Sequence, residues 1–123
     1  MAGRSQIFFT DNFTANLDEV QRFLSSEGRS PFQRLLDRLF DDLCPQLARF
    51  PRSGRSFLEH RAGSDEAQAL VNRLHGTLRA GDDLREFVLD DYIVLYLIRR
   101  RRIYFLAIKH HRQLSFDLRR FWS

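Results

Sequence analysis

Residues Tyr92 to Arg112 read YIVLYLIRRRRIYFLAIKHHR, two apolar runs joined by four arginines, the second running into Lys109-His110-His111-Arg112. Runs this rich in β-branched and aromatic residues, joined by a short polar tip, predict a hairpin of two central strands. The hairpin delivers a lysine, two histidines and an arginine to one edge of the sheet, side chains that hold phosphates and move protons. Side chains alternate along an extended chain, so Lys109 and His111 face one way and His110 and Arg112 the other. Only one of these pairs can then line an open sheet face.

Working outward, Leu84 to Leu89 forms a further strand, joined to the hairpin by a tight Asp90-Asp91 turn. At the N-terminus, Gln6 to Thr10 is a short strand candidate. Thr10, Asp11 and Asn12 offer capping oxygens for a helix whose apolar face is Phe13, Leu17, Val20 and Leu24. A break at 25–29 leads to Ser30-Pro31-Phe32-Gln33, which reads as an N-cap, a first-turn proline and a capping box. Phe32, Leu35, Leu36, Leu39, Phe40, Leu43 and Leu47 then mark one wide stripe, which Pro45 is expected to end or kink. The two helices make an antiparallel α-hairpin. A turn at 51–55 precedes a shorter helix after Ser64-Asp65-Glu66, and Gln113 to Trp122 has near-helical spacing for a short closing helix. This order predicts an α+β domain with its helices on one face of a small, mostly antiparallel sheet.

The chain of 123 residues fits a single domain, and 43% hydrophobic with 29% charged residues is a globular composition. Its longest apolar run is far short of the roughly 20 residues that span a bilayer. The N-terminus lacks a secretory h-region, and Cys44 is alone, so a cytoplasmic protein without disulfides, and with no membrane partner, is expected. His60 and His75 have no partner at ligand spacing, and neither a Gly-rich phosphate loop nor a Ser/His/Asp signature occurs. Neither metal nor cofactor is expected. Residues 99–123 hold eight of the 20 basic residues and one of the 16 acidic ones, a local balance of +7 against −3 for the rest. Charge gathered in this way suits an anionic partner, nucleic acid or acidic protein. With one lysine among twenty basic residues, arginine is this chain's default cation, and its abundance alone is not read as phosphate recognition.

The order of these segments resembles a family. An N-terminal strand enters a helical hairpin, followed by F-P-x-x-G-R (Phe50 to Arg55), L-R-E-F-V-L-D-D-Y-I-V-L-Y (Leu84 to Tyr96) and I-Y-F-L-A-I-K-H-H-R-Q (Ile103 to Gln113). The pattern is similar to the RelE/ParE superfamily of toxins from bacterial type II toxin–antitoxin systems. It covers almost the whole of 1–123 as one domain, with 59–83 standing out as an insertion. The resemblance implies a cognate antitoxin as partner and higher-order toxin–antitoxin assembly. It also implies one of two targets. ParE-like members poison DNA gyrase by contact, whereas RelE-like members cut mRNA on the translating ribosome without a metal. The basic ending leans toward the ParE-like subgroup, and a non-toxic binding domain on the same fold is a further alternative.

Metal-free RNA cleavage needs a base for the 2′-hydroxyl, cations for the phosphorane and an acid for the leaving oxygen. His110 or His111 suits the proton steps, with Arg55, Arg85, Lys109 and Arg112 as phosphate- or partner-binding cations. In family terms Arg85 is the arginine of an R-x-F-x-L-x-x-Y pattern, and a salt bridge to an acidic turn is its alternative use. Arg99, Arg100, Arg101, Arg102, Arg119 and Arg120 make a basic patch, readable as a nucleic-acid surface or as charges that keep a hairpin tip from aggregating.

Overall fold

The computed structural model describes residues 4–57, 65, 69 and 78–110. The proposed 59–83 insertion falls mostly outside them, as do the closing helix and His111, Arg112, Arg119 and Arg120. Five strands form one sheet: β1 (Gln6–Phe9), β2 (Arg55–Ser56), β3 (Asp83–Leu89), β4 (Tyr92–Arg99) and β5 (Arg102–His110), in the order β1-β5-β4-β3-β2. Every pairing is antiparallel except β1 with β5, which is parallel. Three helices run between β1 and β2: α1 (Asp11–Leu24), α2 (Ser30–Asp37) and α3 (Cys44–Arg49), the last two joined by a π-helical stretch, Arg38–Leu43. The α+β class is the one the sequence predicts.

Helix α1 starts where its polar cluster places it. The Thr10 side chain accepts from Phe13 N–H at 3.2 Å, Asp11 lies in the positive first turn and Arg22 in the last. Phe13, Val20 and Leu24 pack with Leu35, Leu39, Leu43 and Leu47 against Val94, Tyr96, Ile103, Phe105 and Ile108 of the sheet. Burying side chains of this size gains about 1.5–3 kcal/mol each, which is what seats the helical hairpin on the sheet.

One local expectation is corrected. Ser30 is not the N-cap of α2: Arg29 takes that position in a helical conformation with no side-chain cap, and Gln33 bonds Asp37 at 3.0 Å rather than closing a capping box. Helical dihedrals already at Arg29 move the start one residue upstream, so Ser30 joins the first turn. The helix ends at Arg49, about one turn past Pro45, as expected. Ahead of that proline the chain widens into the π stretch, with Cys44 N–H reaching Leu39 O five residues back, and Pro45 enters the first turn of α3. A proline ring clashes with the carbonyl four residues before it in a regular α-helix, and the wider turn relieves that.

The central strands are buried on both faces. A β-bulge places Leu106 between the pairs Leu95↔Ala107 and Tyr96↔Phe105, shifting the alternation of β5 by one. Before the bulge Ile103 and Phe105 face the helices; after it Ile108 does, while Leu106 and Ala107 join Leu84, Ile93, Leu95, Leu97 and Phe57 in a second core behind the sheet. The face opposite the helices was expected to be open. Its centre is instead a closed apolar layer, with Leu95, Leu97 and Leu106 fully buried, and it becomes exposed at Val88. The outward positions of these strands carry Leu, Ile and Ala, apolar side chains whose burial is favourable.

Strand β1 pairs only with the first part of β5, and α1 supplies what the rest of that edge lacks. Thr10 Oγ1 donates to Phe105 O at 2.9 Å, Asn12 Nδ2 to Leu106 O at 2.8 Å, and Ile108 N–H donates to Asn16 Oδ1 at 3.2 Å. Asn12 is buried. Backbone groups of a buried strand need partners, and here side chains of a helix start take the place of a longer strand.

Candidate functional site

The residues singled out from the sequence divide between the two faces of the sheet. His110 lies on the helix side, its ring 5.3 Å from Tyr92 at 84° and 6.0 Å from Phe23 at 51°. Lys109 is on the other side, in register with Ile93, and only 6% exposed. The neighbours are therefore on opposite sides of a closed sheet and do not converge on one phosphate.

Arg55 and Arg85 belong to a different construction, built around Gly54. The Tyr96 hydroxyl accepts from Gly54 N–H at 2.9 Å and donates to Pro51 O at 2.7 Å. A Cβ on Gly54 would lie 2.5 Å from Glu86 O and 2.6 Å from Tyr96 Oη, so only glycine admits this approach. Arg85 adds Nη1 to Gly54 O at 2.7 Å and Nε to Asp83 Oδ2 at 2.9 Å. Arg55 Nε meets Glu86 Oε1 at 2.8 Å, with the Glu86 carboxylate wholly buried. Burial pushes the Tyr96 hydroxyl up to about 12, so it stays a donor to Pro51 through the ordinary pH range. Each of these groups comes from F-P-x-x-G-R or from the strands that follow. The motif thus pins the turn after α3 to the sheet.

The hairpin tip is divided as well. Arg99 is bound bidentately to Asp82, Nε to Oδ1 at 2.9 Å and Nη2 to Oδ2 at 2.7 Å, with both side chains largely buried. The pairing holds the Asp82 carboxyl below its usual range and raises Arg99, as a charge-assisted fork should. Arg100 and Arg101 form the two-residue turn, Arg100 with a φ of 57°, and both are exposed, as is Arg102. Among the described residues no group of three His, Cys, Asp or Glu side chains could hold a metal, and no helix is long and apolar enough to cross a membrane.

Sequence reasoning missed three contributions: the Gly54–Tyr96 contact, the role of Asp82 and the edge-capping asparagines. Asn12 and Asn16, one helical turn apart on a face otherwise apolar, were the available signal for the last.

The fold is thus a five-stranded sheet, antiparallel except at its β1–β5 edge, that carries a helical hairpin and has its 51–55 turn fixed under Tyr96. The family model for the ParE toxin of the type II toxin–antitoxin system, parDE, matches residues 7–115. The chain belongs to that family, within the RelE/ParE superfamily, and is a type II toxin whose family implies an antitoxin partner. No curated protein matches it.

Proposed function

We propose that this chain inhibits growth by poisoning DNA gyrase through contact, and that a cognate antitoxin neutralises it. The observation that carries this reading is the filled sheet face. Where a ribonuclease would set a base, an acid and several cations around an exposed phosphate, the centre of this sheet presents Leu84, Leu95, Leu97, Leu106 and Ala107, all buried. Lys109 and His110 are on opposite faces, and Arg55 and Arg85 are engaged with Glu86, Asp83 and Gly54. Affiliation to ParE toxins points the same way.

For neutralisation, a groove of about 550 Å³ runs between α1 and α2, lined by Gln21, Ser25, Gly28, Arg29, Phe32, Gln33 and Leu36. Phe32 and Leu36 offer an apolar floor and Arg29 a cationic rim, which fits an acidic amphipathic segment of the antitoxin. The test is induction in cells, with plasmid breaks and supercoiling followed alongside primer extension on translated mRNA. Gyrase-linked DNA breaks with intact mRNA support the reading. Codon-phased mRNA cuts replace it with the RelE-like alternative, a ribosome-dependent endonuclease.

A further inference from the structure

Five exposed arginines from three separate parts of the chain meet at one end of the sheet. Arg100, Arg101 and Arg102 come from the β4–β5 tip. Gln6 N–H donates to Arg101 O at 2.8 Å and Ser5 N–H to Ala48 O at 2.9 Å, which brings Arg4 and Arg49 alongside. With consecutive Cα atoms 3.8 Å apart and backbones joined by a hydrogen bond about 5 Å apart, the Cα atoms of Arg4 and Arg49 are on the order of 12 Å apart at most. Both are exposed. The nearby carboxylates are occupied by other arginines, Asp82 by Arg99 and Asp83 by Arg85 and Arg52. None of the five guanidinium groups has an ion-pair partner among the described residues.

We propose that this end of the sheet binds the phosphate backbone of duplex DNA. The inference goes beyond gyrase inhibition and does not depend on it. Uncompensated charge of one sign, drawn together from distant segments, matches a polyanion. Charge dominates this end, whereas a protein interface is usually anchored on several buried aromatic or aliphatic side chains. Phe50 is the exposed large apolar side chain among Ser5–Gln6, Ala48–Phe50 and Arg99–Ile103, with Phe8 and Phe9 exposed farther along β1.

The experiment is fluorescence anisotropy of the purified full chain with a labelled 30-base-pair duplex between 50 and 200 mM KCl, with polyglutamate as a second probe. Wild type should bind the duplex with micromolar-range affinity that falls steeply with salt. The triple variant Arg100→Gln, Arg101→Gln, Arg102→Gln should weaken binding tenfold or more and flatten the slope of log K against log salt by roughly 3. Glutamine keeps an unbranched polar side chain at the positive-φ Arg100 position, and circular dichroism confirms folding. Arg22→Gln, Arg34→Gln, Arg38→Gln removes the same charge from exposed helical positions and should change binding less than twofold. Three results overturn the proposal: no duplex binding at 50 mM KCl, equal loss in both triple variants, or loss of polyglutamate binding alone in the tip variant. The last would make the surface one for an acidic protein.

Discussion

The Tyr96 hydroxyl lies 2.9 Å from the Gly54 amide and 2.7 Å from the Pro51 carbonyl, so one buried phenol closes a turn to which Arg85 is also bound. Gly54 and Tyr96 are separated by 42 residues, a segment that includes most of the residues outside the description. Their contact joins the N-terminal helical half of the domain to its β-meander.

Tyr96→Phe should destabilise the fold by about 1–3 kcal/mol, since it strands a buried N–H and removes the donor to Pro51 O. Gly54→Ala should cost at least as much, because its Cβ would meet the Glu86 carbonyl, a backbone atom that cannot swing aside. Urea denaturation of both single variants and the double variant tests the coupling. The combined loss should be smaller than the sum.

Tyr96 also sets an alkaline limit. Its hydroxyl titrates at about 12 in the fold, against about 10 for an unfolded tyrosine. The stability linked to it is complete below pH 10 and is lost as pH rises from 10 toward 12. Absorbance titration at 295 nm should show one tyrosine ionising late, and Tyr96→Phe should lack that late step.

Asp82 gives the opposite sign. Arg99 depresses its carboxyl in the fold, so the linked stability is complete above an unfolded pKa of about 3.9 and fades as pH falls through the lower folded value. Asp82→Asn should lower stability by roughly 1–3 kcal/mol at pH 7, a charged hydrogen bond being lost. The gap from wild type should narrow in urea midpoints as pH falls below about 4. A constant gap would show that the aspartate acts through shape alone.

Cys44 should be chemically quiet. Burial raises its thiol to about 11, leaving little thiolate at pH 8. A colourimetric disulfide reagent should react with the native protein at least tenfold more slowly than with the urea-unfolded chain.

His110→Ala tests the chemistry directly. The ring packs with Tyr92 and Phe23 on the helix side, and its loss should reduce stability by about 1 kcal/mol through the lost ring contacts. Toxicity on induction should be retained. Loss of toxicity in a folded variant would restore the imidazole to a catalytic role.

Much of the fold could be read from Tyr92–His110, because its apolar runs are long and the tip is short, and β4 and β5 fall on them. The cap at Thr10 and the Asp90-Asp91 turn were legible for the same local reason, with Asp90 taking a φ of 54°. The bulge at Leu106 was not, since inserting one residue between two apolar ones leaves no mark in an apolar run. Strand alternation alone anticipated that Lys109 and His110 would face opposite ways. It gave no information on whether either face was open, which depends on what packs there. Arg99 and Arg100 are neighbours of identical type, yet one is fixed by Asp82 and the other is free at the turn. That distinction comes from an aspartate seventeen residues upstream of Arg99 and is invisible in a run of four arginines.

The central claim, inhibition by contact with gyrase rather than cleavage of mRNA, is met most directly with purified components. The full chain is added to gyrase, ATP and relaxed plasmid, and the products are resolved after denaturation and proteolysis. The account predicts lost supercoiling together with linear plasmid covalently trapped at gyrase, both reversed by the antitoxin. Unaffected gyrase, with the same preparation cutting mRNA on translating ribosomes, would contradict it.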